Sequence, residues 1–183
     1  MNPPLTKLNT APAYLIMLTV VVLDQLTKTL VRLYMDLNQS LPLLSNQFKD
    51  TFMLIYVQNT GAAFSIGFNS DLINRIFFIC ITFLAVFFII YLLRHSQHRI
   101  QVIAFGFVLG GAFGNLIDRI LYGGVTDFFS VDFPDFIMQR FPIFNVADSC
   151  IFIGVCLLIC DMLCIKDIPI TLLEEPEINT KEI

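Results

Sequence analysis

The feature that most constrains this chain is an uncharged apolar run from Ile76 to Leu93, bounded by Arg75 and Arg94. Its length approaches the roughly 20 residues that an α-helix needs to cross a bilayer core of about 30 Å. Across the whole chain 56% of the residues are hydrophobic and only 14% are charged, whereas an ordinary soluble domain has roughly 25% charged residues. One water-soluble core of this size could not bury so much apolar surface. We therefore expect a membrane protein rather than a soluble enzyme.

Three further stretches are long enough to span a bilayer if polar residues within them are tolerated: Ala13 to Tyr34, Ile100 to Leu121 and Phe144 to Ile165. Taken alone, each could be a buried helix of a soluble protein, but the composition of the whole chain argues against this. The first stretch also resembles a cleaved signal peptide. No small-residue cleavage site follows it, so we expect an uncleaved first span. The sequence thus predicts four transmembrane helices with both termini on the same side.

The loops between the predicted spans differ in length and charge. The link from Arg94 to Arg99 is short and basic, which weakly favours cytoplasmic termini by the positive-inside rule. The long loop 35–71 contains Thr51 to Val57, whose β-branched and aromatic residues indicate a strand. Residues 167–183 carry all four glutamates and are expected to form a flexible acidic cytoplasmic tail after a single domain, 1–166. Without this tail the chain is nearly neutral, so nucleic acid is not an expected partner.

Charged and amide side chains within the spans are costly, and each is therefore a functional candidate. Asp24 and Lys28 are an i,i+4 acid–base pair near mid-membrane, and their pairing could serve only to let the helix insert. Asn115, Asp118 and Arg119 lie toward the outer end of the third span, where Asp118 could simply neutralise Arg119. These residues therefore indicate a polar cluster without yet assigning it a reaction.

The third span also carries small residues at four-residue steps, namely Gly106, Gly110 and Gly114. Such a face lets another helix backbone approach closely in a membrane. Packing is therefore the expected role of these glycines.

Two acids from distant parts of the chain are expected at the same membrane face. Asp127 follows the third span, and Asp148 lies about one turn inside the fourth, with Asn145 on the same side of that helix. Two neighbouring carboxyl groups share one proton, which suits aspartic-protease chemistry. Asp132 or Asp135 could replace Asp127 as the partner.

Two other functions remain open at this point. A polar relay through Asp24, Lys28 and Asp118 could serve transport, and a non-catalytic scaffold needs no reactive group at all. Other hydrolase chemistries lack their residues, because there is no histidine within the spans and no GxSxG or HExxH motif. The five cysteines lie in apolar stretches and are expected to pack as small hydrophobic residues. We expect neither a metal nor a cofactor.

Five short motifs nevertheless occur in one order along the chain: Asp24-Gln25-Leu26-Thr27-Lys28, Asn59-Thr60-Gly61-Ala62-Ala63-Phe64, Gly110 to Arg119, Val125-Thr126-Asp127-Phe128, and Phe144-Asn145-Val146-Ala147-Asp148. Each is weak alone, but together and in this membrane setting they are highly specific. By these motifs the chain resembles the bacterial lipoprotein signal peptidase family, also called signal peptidase II.

The resemblance implies an all-α membrane protein, with four transmembrane helices and a small extramembrane β-cradle on the periplasmic side. A further short helix over the site is expected near Asp135 to Phe141. The family implies an aspartic endopeptidase of the bacterial inner membrane, with cytoplasmic termini and a site near the periplasmic leaflet. Its substrates are diacylglyceryl-modified prolipoproteins, cut just before the lipidated cysteine. We also expect contact with membrane lipids and a monomeric enzyme.

The resemblance also assigns roles to individual residues. Asp127 and Asp148 match the catalytic pair of the family. The residues that match supporting or substrate-binding positions are Asp24, Lys28, Asn59, Gly61, Asn115, Asp118, Arg119, Asn145 and Ala147.

Overall fold

The computed structural model describes residues 8–43, 51–61, 70–132 and 141–164. Within these ranges the elements follow in the order α1 (Ala11–Tyr34), β1 (Ser40–Pro42), β2 (Phe52–Asn59), α2 (Asp71–Arg94), α3 (Arg99–Tyr122), β3 (Val125–Val131) and α4 (Val146–Cys164). The predicted short helix near Asp135 and the tail 167–183 lie outside the described residues.

Four of these elements are helices long and apolar enough to cross a membrane, as the sequence predicts. Helices α1, α2 and α3 have 24 residues each and α4 has 19, which corresponds to about 36 Å and about 28 Å of helix. The start of α2 differs most from the prediction. It begins at Asp71 rather than Ile76, because a charge at Arg75 does not end a helix, and an acid in the first turn complements the helix dipole.

Helix α3 occupies the centre of the bundle and packs against α1, α2 and α4. Its predicted small-residue face lies against α1, where the backbones approach too closely for a side chain. A Cβ atom added at Gly106 would lie 2.8 Å from the carbonyl oxygen of Ala13, and one at Gly110 would lie 2.6 Å from Cβ of Val20. The packing role of these glycines is thereby confirmed.

The outward faces of the helices present large apolar side chains. Phe87 of α2 and Phe152 of α4, for example, remain about 70% and 69% exposed. Bilayer hydrocarbon is the solvent that suits such faces, since a helix satisfies its own backbone hydrogen bonds.

A three-stranded antiparallel sheet in the order β1-β2-β3 is the other part of the fold. The sequence predicts β2, whose observed range extends two residues beyond Val57 to Asn59. Strand β3 follows α3 after Gly123, which has a φ of +81° that glycine adopts easily. Asn59 pairs with Val125, and Asp127 lies opposite Val57 beside an irregularity in β2. The sheet thus brings Asn59 and Asp127 together at one end of the helical bundle.

Candidate active site

Most of the buried polar side chains of α1, α3 and β3, together with Asn145 before α4, converge at one end of the bundle. This end combines the C-terminal halves of α1 and α3 with the N-terminus of α4. The buried residues are Asp24, Lys28, Asn115, Asp118, Thr126, Asp127 and Asn145. All of them except Thr126 are site residues expected from the sequence or the family resemblance.

An ionic layer on α1 forms the base of this cluster. Lys28 is fully buried, with Nζ 2.9 Å from Oδ2 of Asp24 and 3.5 Å from Oδ2 of Asp118. The other oxygen of Asp24, Oδ1, accepts the backbone N–H of Ala147 at 3.0 Å. The predicted Asp24–Lys28 pair is therefore present, and it also joins α1 to the first turn of α4. A buried charge of this kind must be paired to be tolerated.

The side chain of Asn115 connects the ionic layer to Asp148. Lys28 Nζ donates to Oδ1 of Asn115 at 2.8 Å. The amide nitrogen of Asn115 in turn donates to Oδ1 of Asp148 at 2.8 Å. Lys28 thus orients the Asn115 amide, so that a donor rather than an acceptor faces the carboxyl group.

Asn145 precedes α4 and forms a reciprocal cap with Asp148. Its Oδ1 accepts the backbone N–H of Asp148 at 2.9 Å, while Oδ2 of Asp148 accepts the backbone N–H of Asn145 at 3.2 Å. This is the arrangement of a capping box, with Asp148 at the third helical position. The cap therefore holds the Asp148 carboxyl at the helix N-terminus.

The same Asn145 side chain reaches the second acid. Its Nδ2 donates to Oδ1 of Asp127 at 2.7 Å and to Oδ1 of Asn115 at 3.1 Å. Asn145 is completely buried. One amide thus contacts Asp127 through its nitrogen and the backbone of Asp148 through its oxygen.

Asp127 lies on β3, outside the spanning helices, and is 4% exposed. Its second oxygen, Oδ2, accepts Nδ2 of Asn59 at 3.1 Å. Burial and, after it, the negative charge of Asp148 raise the pKa of Asp127, and the hydrogen bonds from Asn59 and Asn145 and the charge of Lys28 lower it; the net result is a pKa of about 7. Asp127 is therefore half protonated near neutral pH.

Three further candidate residues, Gly61, Ala147 and Arg119, lie around the two aspartates and make different contacts. The backbone N–H of Gly61 donates to Oδ1 of Asn59 at 3.0 Å and so turns the Asn59 amide nitrogen toward Asp127. Ala147 is fully buried beside Gly114. Arg119 lies with its guanidinium carbon 5.1 Å from the ring centre of Phe78 on α2, a distance at which cation–π attraction operates.

Asp118 pairs with Lys28 and Arg32 of α1, at 3.5 Å and 3.4 Å. The close ion pairs of Asp118 are therefore with two bases of α1, and its charge acts on Arg119 without a salt bridge between them. Consecutive helical residues do not face each other, so Asp118 turns toward α1.

Two residues of α1 and one of β3 belong to the cluster although the sequence did not assign them a role in the site. Gln25 donates through Nε2 to the backbone oxygen of Gly114 at 3.0 Å and to Asp118 at 3.1 Å. Arg32 donates to Oγ1 of Thr126 at 2.9 Å. The sequence offered a signal for the two residues of α1. Arg32 follows Lys28 by four residues and so lies on the same helix face, and Gln25 is a polar residue within a span.

The alternative partner Asp132 lies at the end of β3, where its backbone N–H donates to the carbonyl oxygen of Thr51 at 2.9 Å. Asp135 is outside the described residues. Among the side chains that the structure describes, no group of three or more His, Cys, Asp or Glu residues could hold a metal ion. The arrangement presents two carboxyl groups that both accept hydrogen bonds from Asn145, that of Asp127 from the side chain and that of Asp148 from the backbone, and the pKa of Asp127 is about 7.

Comparison with known proteins places this arrangement in context. A family model described as signal peptidase (SPase) II matches residues 16–164. A lipoprotein signal peptidase of Brevibacillus brevis is 45% identical over 151 residues, covering 81% of this chain and 93% of that protein. One of Halothermothrix orenii is 42% identical over 147 residues, covering 80% and 91%.

Two solved structures, both described as bacterial membrane enzymes, resemble the whole fold. One has a TM-score of 0.71 and 28% identity, and the alignment covers 97% of this chain and 96% of the other. The second has a TM-score of 0.73 and 29% identity, with 90% and 100% covered. The similarity of fold thus extends over nearly the whole chain.

Proposed function

Because this chain belongs to the signal peptidase II family, a family of bacterial multi-pass membrane peptidases, we propose that it removes the signal peptide from prolipoproteins. The proposed cut lies just before a cysteine that already carries a diacylglyceryl group. The proposed reaction is peptide-bond hydrolysis by one water molecule, activated between Asp127 and Asp148.

The contacts of Asn145 are the observation that carries this proposal. A single buried amide donates to Asp127 at 2.7 Å and accepts from the backbone of Asp148 at 2.9 Å. The backbone N–H of Asn145 also donates to the Asp148 carboxyl at 3.2 Å, and the charge of Asp148 acts on Asp127. Two neighbouring carboxyl groups do not ionise independently, so in the proposal one proton belongs to the pair. The pKa of about 7 for Asp127 is consistent with Asp127 carrying that proton.

In the proposed mechanism, Asp148 takes a proton from the water molecule while the oxygen of that water attacks the scissile carbonyl carbon. Asp127 donates a hydrogen bond to the carbonyl oxygen as negative charge develops there. The proton on Asp148 then passes to the departing amine, and the C–N bond breaks. After this step Asp148 is again ionised and Asp127 again protonated, as at the start of the reaction. No covalent intermediate forms.

The surrounding residues support this pair in the proposal. Lys28, balanced by Asp24 and Asp118, orients Asn115 toward Asp148. The amide nitrogen of Asn59 donates to Asp127, and the backbone N–H of Gly61 keeps that amide in place. Ala147 is small and buried between α1 and α3, so its backbone N–H can come close enough to donate to Asp24. Arg119 is proposed to contact the substrate strand.

The substrate chemistry fits a site at one end of a lipid-facing bundle. The signal peptide and the diacylglyceryl chains are both apolar, so both can approach through the bilayer, and burial of the chains contributes about 25 cal/mol per Å². We place the site near the periplasmic leaflet and both termini in the cytoplasm, because the opposite end of the bundle carries Arg94 and Arg99. The proposed enzyme is a monomeric domain, 1–166, in contact with membrane lipids, with the tail 167–183 on the cytoplasmic side.

The direct test incubates the purified full-length chain in detergent with a diacylglyceryl-modified prolipoprotein and, in parallel, with its unlipidated form. Asp127→Asn and Asp148→Asn should insert normally and reduce cleavage by about 10²- to 10⁴-fold, the usual contribution of a general acid or base. Asp36→Asn is the matched control, because Asp36 is an exposed acid just after α1. Normal cleavage by either site variant would refute the assignment of that acid.

A further inference from the structure

Arg32 lies in the last turn of α1 and connects three elements at the site end of the bundle. Its Nη1 donates to Oγ1 of Thr126 at 2.9 Å and lies 3.4 Å from Oδ1 of Asp118. Its guanidinium carbon lies 4.2 Å from the ring centre of Tyr122, the last residue of α3. The side chain of Arg32 is only 14% exposed. Arg32 therefore holds α1 against both α3 and the start of β3.

These contacts restrain Thr126 from two directions. While Arg32 holds the hydroxyl group, the backbone N–H of Thr126 donates to Oδ2 of Asp118 at 2.8 Å. Thr126 is 2% exposed. Because successive side chains of a strand point to opposite faces, fixing Thr126 toward Arg32 and Asp118 directs the next side chain, Asp127, to the other face of the strand, where Asn59 and Asn145 contact it. The orientation of β3 about its own axis is thus set at Thr126.

The sheet alone gives Asp127 less support. Asp127 pairs with Val57, and the register between β2 and β3 shifts between Leu54 and Val57. A bulge of this kind interrupts the regular ladder and bends the strand. The contacts of Thr126 with Arg32 and Asp118 lie on the other side of Asp127 along the strand from this irregularity. On this side the ladder pairs Thr126 with Gln58, and the contacts of Thr126 with Arg32 and Asp118 add a second restraint to that pairing.

We propose that Arg32 is a positioning residue, which acts through Thr126 and Asp118 to hold the Asp127 carboxyl group in register with Asp148. This inference rests on the proposed role of the two aspartates. Arg32 itself donates no proton and is not assigned a contact with the substrate. A lysine cannot replace it fully, because only a guanidinium presents a planar set of donors that can reach Thr126 and Asp118 together while stacking on Tyr122.

The test compares Thr126→Val, which removes only the hydroxyl group, with Arg32→Lys, which keeps the positive charge. Each is assayed as purified full-length chain with a diacylglyceryl-modified prolipoprotein, after size-exclusion chromatography and thermal unfolding have shown that it is folded. We expect kcat to fall about 10- to 100-fold, as for a misplacement of about 1 Å, and KM to change less than about twofold. A purely structural role would lower the folded fraction and leave kcat per folded molecule unchanged.

Three further variants make the test specific. Thr126→Ser restores the hydroxyl group and should recover most of the kcat lost in Thr126→Val. Arg32→Lys combined with Thr126→Val should be no slower than the slower single variant, because both changes remove the same contact. Arg94→Lys, at the exposed far end of α2, is the matched control and should leave kcat unchanged.

Two results would overturn the inference: folded Thr126→Val and Arg32→Lys proteins with kcat within twofold of the parent, or losses that simply multiply in the double variant. If Arg32→Lys fails to fold, Thr126→Val decides alone, since it changes neither charge nor branching. Failure of the proposed function is distinguishable, because it appears as normal cleavage by Asp127→Asn. An inactive Asp127→Asn with unimpaired Thr126→Val and Arg32→Lys would remove only the role of Arg32.

Discussion

The carboxyl group of Asp127 is buried on β3, yet both of its oxygens accept amide hydrogen bonds, from Asn59 and Asn145. Burial is the largest effect on its pKa and the charge of Asp148 the next, and together they raise it from 3.8 to about 7. Below that pH Asp127 is mostly protonated, and above it the proton is lost. In the proposed mechanism this proton stabilises the developing oxyanion, so the reaction needs the form present at lower pH.

We therefore expect kcat/KM to fall as pH rises through about 7, with a midpoint that reports the pair rather than one acid. Asn59→Ala should move this midpoint to higher pH, because the lost hydrogen bond favours the ionised form of Asp127. The measurement is a pH profile of kcat/KM with a lipidated precursor. Gln58→Ala is the neighbouring control, since Gln58 donates to the backbone oxygen of Tyr122 instead. An unchanged midpoint in Asn59→Ala would contradict the assignment of the titration to Asp127.

Individual site residues were predictable from the sequence to different extents. That Asp127 and Asp148 share one end of the bundle follows from counting spans. The partner of Asp118 did not follow, because the neighbouring Arg119 points elsewhere on α3 and the real partners, Lys28 and Arg32, come from α1. The connecting role of Asn145 was also hidden, since an amide can donate or accept at either side until its neighbours orient it.

Among the elements, α4 links stability most directly to the proposed chemistry. Its capping residue Asn145 satisfies the N–H of Asp148 and also donates to Asp127. The two roles need different parts of the side chain. Capping uses the oxygen, and the contact with Asp127 uses the amide nitrogen.

Asn145→Ser should separate these roles, because serine caps a helix about as well as asparagine but has no amide to reach Asp127. We expect the free energy of unfolding to stay within about 1 kcal/mol of the parent, while kcat falls about 10²-fold, as for the loss of an organising group near a general acid. Asn145→Ala should lose both properties. Thermal unfolding in detergent and cleavage of a lipidated precursor measure the two effects. A fully active Asn145→Ser protein would show that the amide contact with Asp127 is dispensable.

The helices were predictable because a long apolar run is a strong signal, and the strands were less so for identifiable reasons. Strand β1 has only three residues. In β3, residues Val125 to Phe128 are all buried, so the strand lacks the alternation of apolar and polar residues that marks a half-buried strand. Its position depends instead on pairing with β2 and on contacts with α1 and α3, none of which is local in sequence.

At the scale of the whole molecule, the polar cluster lies at one end of the bundle and the Arg94 to Arg99 link at the other. The sheet covers the end that holds the cluster, since β3 runs directly from α3 and contacts α1. A lipidated substrate can keep its acyl chains in one leaflet only if that end faces the same leaflet. The chemistry proposed for the site therefore requires a defined orientation of the bundle.

This orientation can be tested by adding one cysteine at either end of the bundle. Leu37→Cys lies in the exposed segment after α1, and Gln97→Cys lies in the link between α2 and α3. In intact cells, a membrane-impermeant maleimide should label Leu37→Cys, whereas labelling of Gln97→Cys should require permeabilisation. The parent chain, whose cysteines all lie within α2 and α4, provides the background. The reverse pattern would place the acid pair at the cytoplasmic face, where a substrate whose lipid chains lie in the outer leaflet could not reach it.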